Sequence, residues 1–184
     1  PTPRRTQKAV RQREQDKAIM RSGIIFCSSA AALLLLVSLV NLLSANVVQA
    51  DEGPSHGFND KIAWFDDLEA GLKEARARNT LAVVLIHKSW CGACKRLRSD
   101  FVASESIVQA TTPFVMINLA DDKEPVGDQW TPDGGYIPRL FFVNADGEPL
   151  DVYNEDGNPS YKYFYSSAAA VEAQLNRQAE KLSN

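Results

Sequence analysis

The chain has 184 residues, which is enough for one domain and too few for a two-domain enzyme or a barrel. Its formal net charge is −3, but residues 1–50 hold seven Lys or Arg and two acids, whereas residues 51–184 hold thirteen and twenty-one. Binding to nucleic acid depends on neutralised phosphates, so we expect no nucleic-acid partner for so acidic a region. Three cysteines exclude a disulfide-dense scaffold and a four-cysteine zinc site, and we expect no metal.

One long apolar run lies near the start of the chain, over residues 24–50. Residues 1–23 form a basic region before it, and this charge bias places them in the cytosol and sends the remainder across a membrane. The run can be a signal peptide, because small residues occupy the −3 and −1 positions before Asp51. It can also be an uncleaved anchor, because residues 24–48 are long enough to span a bilayer. Both alternatives deliver the following domain to the secretory pathway.

Residues 51–60 are polar and turn-rich, which predicts a linker, and we expect the globular domain over residues 61–184. In chain order, the apolar patterns predict a helix, a strand, a helix, a strand, a long loop, two further strands and a last helix. The predicted helices are residues 66–78, 91–103 with a further turn at 104–110, and 166–182. The predicted strands are residues 81–86, 114–119, 139–143 and 149–153.

The connections between these elements determine the fold class. The first two strands are joined by a helical crossover, so they should be parallel. The last two are joined by a tight turn at residues 145–147, so they should be antiparallel. We therefore expect a single α/β domain with a mixed central sheet flanked by helices.

Two cysteines, Cys91 and Cys94, stand at the point where a buried strand is followed by a helix. Cys91 should lie at the helix N-terminus, where unpaired N–H groups and the helix dipole stabilise a thiolate nucleophile. Cys94, one turn further on, can attack a mixed disulfide on Cys91 and release the product. Gly92 and Ala93 are small and leave the first sulfur approachable, while Trp90 offers an apolar wall to a substrate chain.

A lone pair of cysteines with this spacing has two other possible roles. It can be half of a zinc site, but the chain has no second pair, and neither His56 nor His87 has ligand spacing. It can also form a permanent structural disulfide, but a bridge that closes so short a loop constrains the unfolded chain little. The strand–helix context favours a redox-active pair.

The segment WCGACK at residues 90–95 resembles the thioredoxin superfamily. Three later blocks, FVMINL at 114–119, PDGGYIPR at 132–139 and GNPSYKYFY at 157–165, make the resemblance closer to one branch. That branch comprises small thioredoxin-like proteins of the endoplasmic reticulum, such as thioredoxin domain-containing protein 12, and is related to the anterior gradient proteins. The resemblance covers about residues 61–182.

This resemblance implies a single thioredoxin fold, residence in the lumen of the endoplasmic reticulum, and thiol–disulfide oxidoreductase activity on proteins. The resemblance also implies a glutathione-linked protein-disulfide reductase activity. It implies no metal or organic cofactor. The implied partners are glutathione and client proteins that carry cysteines, and we expect a monomer. The resemblance also implies a cis bond between Ile137 and Pro138, which would present the backbone of Ile137 to a substrate strand beside the reactive sulfur.

The chain departs from the thioredoxin pattern at Leu85, where thioredoxins carry a buried acid that takes a proton from the second cysteine. Proton transfer at Cys94 would then need another group, and Lys95 and His87 are nearby candidates. This departure leaves open a second function, a chaperone-like module that holds client cysteines with little turnover. Two further features have alternative roles: the stretch at 161–165 either binds substrate or locks a loop, and the acidic loop at 121–136 either rims the site or is merely solvated.

Overall fold

The computed structural model describes residues 53–183 of the chain. The basic region of residues 1–23 and the signal or anchor segment of residues 24–50 lie outside the described residues. Over 53–183, no helix is long and apolar enough to cross a membrane.

A four-stranded mixed sheet forms the centre of the domain. Its strands are β1 (Trp64–Phe65), β2 (Ala82–His87), β3 (Val115–Ala120) and β4 (Arg139–Val143), in the order β1-β3-β2-β4. Strands β1 and β2 each run parallel to β3, and β4 runs antiparallel to β2. Every residue of β2, β3 and β4 is buried, which explains why these strands are continuous apolar runs rather than alternating ones.

Four helices accompany the sheet: α1 (Leu68–Arg78), α2 (Gly92–Ala103), α3 (Ser106–Thr111) and α4 (Ala168–Ser183). Helix α1 begins where the Asp67 carboxylate accepts a hydrogen bond from the Ala70 N–H at 2.8 Å. It ends at Asn79, which adopts the left-handed conformation with φ 49°. The predicted helices and the first three predicted strands are confirmed, with boundaries that differ by a few residues.

Side chains from the two faces of the sheet build two hydrophobic clusters. Because neighbouring residues of a strand point to opposite faces, Val83 and Leu85 join one cluster and Val84 and Ile86 the other. Helices α2 and α4 pack into the first cluster, and helix α1 packs into the second. The helix that carries the cysteine pair is thereby held on one face of the sheet.

Residues 53–60 pack on the domain, so the predicted linker is wrong for them. Phe58 is 1% exposed, and its ring meets that of Phe101 edge to face at 5.3 Å between centroids. The Asn59 side-chain amide donates to the Phe101 carbonyl at 3.0 Å, and the Trp64 indole N–H donates to the Asn59 carbonyl at 3.1 Å. One apolar residue and side chain–backbone hydrogen bonds hold the segment, and neither leaves a periodic pattern in the sequence.

The predicted fourth strand at 149–153 is also wrong, because only an isolated bridge between Val143 and Pro149 forms there. Pro149 has no N–H to donate, and the Val152 N–H bonds back to the Leu150 carbonyl at 2.8 Å, so the ladder does not continue. The fourth strand is instead β1, whose two residues are too few to show a strand pattern. The antiparallel pair is therefore β2 with β4.

Replacing Phe58 with alanine tests whether residues 53–60 belong to the domain. We expect Phe58→Ala to lower the free energy of unfolding by about 3–5 kcal/mol, because it opens a cavity among buried rings. Urea unfolding followed by tryptophan fluorescence gives the value. Val126→Ala is the control, since Val126 is 96% exposed and its truncation should cost less than about 0.5 kcal/mol. Equal effects of the two variants would contradict the packing of this segment.

Candidate functional site

Helix α2 begins at the cysteine pair. Cys91 is the N-cap residue, and its Sγ accepts a hydrogen bond from the Cys94 backbone N–H at 3.4 Å. The Lys95 N–H donates to the Cys91 carbonyl at 3.1 Å. The first sulfur therefore lies at the positive end of the helix dipole, which favours a negative charge there. Both thiols are free in this structure.

Cys94 lies deeper, on the side of α2 that faces the sheet, and is 3% exposed. Burial raises the pKa of the Cys94 thiol to about 12, and its hydrogen bond with Cys91 acts in the same direction. Leu85 is fully buried within the apolar cluster and offers no group that could take a proton. At neutral pH Cys94 is thus a protonated thiol.

The loop before β4 comes up against Cys91. The Ile137–Pro138 peptide bond is cis, and the Cys91 thiol donates a hydrogen bond to the Ile137 carbonyl at 3.8 Å between sulfur and oxygen. Trp90, next to Cys91 in the chain, is 72% exposed. The structure thereby brings together four of the five residues predicted to react with or bind a substrate, and leaves the Trp90 side chain exposed beside them in the chain.

The three residues predicted to support the pair occupy the first turn of α2. Gly92 is exposed and Ala93 is half-buried, so neither places a large side chain over the first sulfur. The Lys95 side chain is exposed, and its backbone amide contributes to the helix. Between residues 53 and 183, no group of three or more His, Cys, Asp or Glu side chains could hold a metal ion.

A carboxylate that the sequence did not single out joins the two segments around the site. Glu124, in the loop after β3, pairs with the Lys88 ammonium at 2.7 Å and with the buried Arg139 guanidinium. Burial acts to raise the pKa of the Glu124 carboxyl, but hydrogen bonds from Lys88 and Arg139 outweigh it, so this pKa is lowered. The sequence contains one signal, a charged Arg139 at the start of an otherwise apolar strand, because an arginine that is buried there must be paired.

The neighbouring Asp121 adds a second contact, since its carboxylate accepts a hydrogen bond from the Ser89 N–H at 2.8 Å. That hydrogen bond is the main reason why the pKa of the Asp121 carboxyl is lowered. This part of the acidic loop therefore borders the cysteine site and contacts the residues just before it.

The aromatic stretch at 161–165 locks the loop that precedes Ile137. The Tyr136 hydroxyl donates to the Asp133 carboxylate at 2.7 Å and accepts a hydrogen bond from the Tyr163 N–H at 3.0 Å. The Lys162 N–H donates to the same carboxylate at 2.7 Å. Of the two roles considered for this stretch, loop locking is therefore visible in the contacts.

His87, the last residue of β2, is a buried packing residue. Its ring meets those of Phe58 and His56 at 5.1 and 5.8 Å between centroids, which joins it to the segment at 53–60. Burial lowers the pKa of His87 to about 4, and the nearby charge of His56 acts in the same direction. The imidazole is therefore neutral at pH 7 and is a weak acceptor for a proton from Cys94.

Comparisons with known proteins show which proteins this chain is similar to. A family model described as thioredoxin-like matches residues 63–145. Anterior gradient protein 3 of Mus musculus is 35% identical over 141 residues, which cover 73% of this chain and 84% of that protein. The corresponding Xenopus tropicalis protein is 32% identical over 139 residues, with 71% and 84% covered. A solved thioredoxin from Thermus thermophilus is 18% identical, with a TM-score of 0.47 over 66% of this chain and 89% of that one.

The mixed sheet, with a cysteine pair opening a helix beside a proline loop, defines a thioredoxin-like protein. Within that class, the similarity to the mouse and Xenopus proteins shows that the chain belongs to the anterior gradient protein family. The predicted membership of the thioredoxin superfamily is therefore confirmed. The finer placement beside thioredoxin domain-containing protein 12 stays a prediction.

The buried imidazole of His87 predicts a loss of stability in mild acid. Its pKa is about 4 in the folded chain, whereas an unfolded histidine titrates near 6.5, so the unfolded state binds more protons between these values. Stability should be full above pH 6.5 and should fall by about 1–2 kcal/mol between pH 7 and pH 5. Urea unfolding at pH 7, 6 and 5 measures this slope, and His87→Asn should flatten it. An unchanged slope in the variant would assign the titration to another group.

The two cysteines should differ in reactivity. We expect iodoacetamide to modify Cys91 more than about tenfold faster than Cys94 at pH 7.5, because the thiolate of Cys94 is scarce. Tandem mass spectrometry of the peptide containing both residues separates the two products. In denaturant the two rates should converge, which is the control. Equal alkylation rates of Cys91 and Cys94 in the folded chain would contradict the predicted difference in reactivity.

Proposed function

We propose that this protein is a thiol–disulfide oxidoreductase that acts on protein disulfides and dithiols through Cys91 and Cys94. The observation that carries the proposal is the position of the Cys91 sulfur, which caps helix α2 and touches the Ile137 carbonyl. A helix N-terminus favours the thiolate, and the adjoining backbone offers a substrate strand its hydrogen bonds. Exposed Trp90 supplies an apolar surface for the same strand.

The reaction runs in two exchange steps. The Cys91 thiolate attacks one sulfur of a substrate disulfide, forms a Cys91–substrate bond, and releases the other substrate sulfur as a thiolate that takes up a proton. Cys94 then loses its proton and attacks Cys91, which closes the Cys91–Cys94 bond and releases the second substrate thiol. The substrate gains two electrons and the pair loses two. Two glutathione thiols are then oxidised to one glutathione disulfide, which returns the Cys91–Cys94 pair to the dithiol. The same two exchange steps run in reverse oxidise a client dithiol to a disulfide.

The second step is the demanding one. The pKa of Cys94 is about 12, and Leu85 provides no acid or base to assist it. Lys95 is exposed, and His87 packs against the segment at 53–60, so solvent and the released substrate thiolate are the acceptors at hand. The mixed disulfide on Cys91 should consequently persist longer than in a protein with a buried acid at this position.

We further propose that the domain works in the lumen of the endoplasmic reticulum, as a monomer. The support is the basic stretch at 1–23 followed by the apolar stretch at 24–50, which serves as a signal peptide or a membrane anchor. The resemblance to thioredoxin domain-containing protein 12 points in the same direction and makes glutathione and cysteine-bearing client proteins the redox partners.

A second candidate function has an observation of its own in its favour. The high pKa of Cys94 and the apolar residue at Leu85 slow the release of a captured client. A module that binds clients in the groove at Ile137 and turns over rarely would tolerate both features. Binding that survives the loss of both cysteines would favour this chaperone-like function.

Serine substitutions test the proposed chemistry. Cys91→Ser should abolish glutathione-coupled reduction of insulin disulfides, because the attacking sulfur is gone. Cys94→Ser should instead accumulate a mixed disulfide with the client, visible on a non-reducing gel. Cys27 is the remaining cysteine and lies in the apolar run at 24–50, so Cys27→Ser in the uncleaved full-length chain is the matched control and should keep full activity. Activity that survives in Cys91→Ser would overturn the oxidoreductase proposal, and client binding by the Cys91→Ser/Cys94→Ser double variant would then support the chaperone-like one.

A further inference from the structure

We propose that Glu124 is a positioning residue whose carboxylate holds together the two segments that form the cysteine site. One segment runs from Lys88 to Cys91, and the other from Ile137 to Arg139. Glu124 itself lies outside both, in the loop after β3, and pairs with a cation in each. The inference deepens the proposed function of the Cys91–Cys94 pair and rests on it.

The contact with Arg139 is the more demanding of the two. The Arg139 side chain is 0% exposed, and a guanidinium removed from water must be paired or its burial is strongly unfavourable. Glu124 accepts from one terminal nitrogen, and the other donates to the Gly134 carbonyl at 3.3 Å. The Glu124 carboxylate thereby supplies the charge that keeps Arg139 in place. Because Arg139 directly follows Pro138, its position determines where the Ile137 carbonyl lies.

The contact with Lys88 reaches the cysteines from the other side. The Lys88 ammonium is 2.7 Å from Glu124 and also donates to the Asp121 carbonyl. The Lys88 carbonyl accepts a hydrogen bond from the Cys91 N–H at 3.1 Å. The Lys88 backbone also hydrogen-bonds the Cys94 thiol, which acts to lower the pKa of that thiol. A fixed Lys88 therefore fixes the backbone that contacts the Cys91 N–H and the Cys94 thiol.

The two contacts together act across the substrate groove. The Cys91 sulfur and the Ile137 carbonyl, 3.8 Å apart, belong to the two segments that Glu124 connects. An extended substrate must place its disulfide on the first and its backbone against the second. Errors of about 1 Å in such an alignment can lower a rate by about a hundredfold, so a link between the segments controls exchange with a peptide. Attack on a small reagent needs no such alignment.

Glu124→Gln removes the charge but keeps the shape, and Asp122→Asn is the matched control. Asp122 is an exposed acid in the same loop, two residues away. In the full-length chain, Glu124→Gln should lower the rate of exchange with a peptide disulfide by about tenfold. The rate of Cys91 alkylation by iodoacetamide, followed from pH 6 to pH 9 to separate ionisation from access, should change less than about threefold at its plateau. Asp122→Asn should leave both rates at wild-type values.

Amide hydrogen exchange tests the link without any enzymatic assay. Glu124→Gln should speed exchange at residues 88–91 and 137–140 by about tenfold and leave β3 unchanged. Exchange within twofold of wild type at both segments would overturn the proposal. An equal acceleration of amide exchange in β3 would also overturn the proposal. The same holds if Asp122→Asn accelerates exchange as much as Glu124→Gln does.

These measurements also separate failure of this inference from failure of the proposed function. A wild-type chain without disulfide exchange would remove the function, yet the hydrogen-exchange pattern would still test the link. If Glu124→Gln does not fold, Lys88→Met replaces it, because it breaks the partly exposed contact and leaves Arg139 paired. That variant should speed exchange at residues 88–91 by more than about threefold, and exchange at the wild-type rate would overturn the proposal.

Discussion

The first turn of helix α2 has backbone N–H groups without helical partners, and a sulfur atom accepts a hydrogen bond from one of them. Cys91 accepts the Cys94 N–H as an N-cap residue, a role that other helices give to an oxygen. The reactivity of that sulfur depends on the helix keeping its place. Leu97 and Phe101 hold the helix on the sheet, and the segment at 53–60 covers Phe101 in turn. Packing far from the cysteines therefore helps to determine where the Cys91 sulfur lies.

The two cysteines, one helical turn apart, occupy different environments. Cys91 caps the helix and lies beside the Ile137 carbonyl, whereas Cys94 lies on the buried face of the helix, and this burial raises the pKa of its thiol. The same helix thereby places one sulfur at its N-terminus and keeps the other buried as a protonated thiol. Around them the loops are charged rather than apolar, and the Glu124 carboxylate satisfies two cations at once. The site therefore combines an apolar cluster beneath the cysteine pair with ion-paired loops beside it.

Patterns that repeat along the sequence predicted most of this architecture. The buried strands β2, β3 and β4 are continuous apolar runs, and the longer helices have regular apolar spacing, with an Asp67 cap at the start of α1, so both were predictable. The same holds for the cysteines, whose strand–helix context is local. Strand β1 was missed because two residues show no period, and residues 149–153 were wrongly predicted as a strand because Pro149 interrupts the ladder.

Contacts between residues distant in the chain were the part that the sequence could not provide. The burial of Phe58 depends on Phe101 and His87, which come from α2 and the end of β2. The pair between Glu124 and Arg139 spans 15 positions. No periodicity connects such residues, because their meeting depends on how the sheet is ordered. The charged Arg139 in an apolar strand was the one available hint. It indicated that a partner was needed but not which residue the partner was.

Leu85 connects the fold to the choice between the two functions. An apolar side chain there completes the core cluster and avoids the cost of a buried carboxyl. The same choice leaves Cys94 without an internal proton acceptor. Under either proposal, capture of a client by Cys91 needs the helix N-terminus and the neighbouring Ile137 backbone. Release needs a thiolate at Cys94. An oxidoreductase and a holding module can therefore share this geometry, and the rate at which Cys94 loses its proton decides between them.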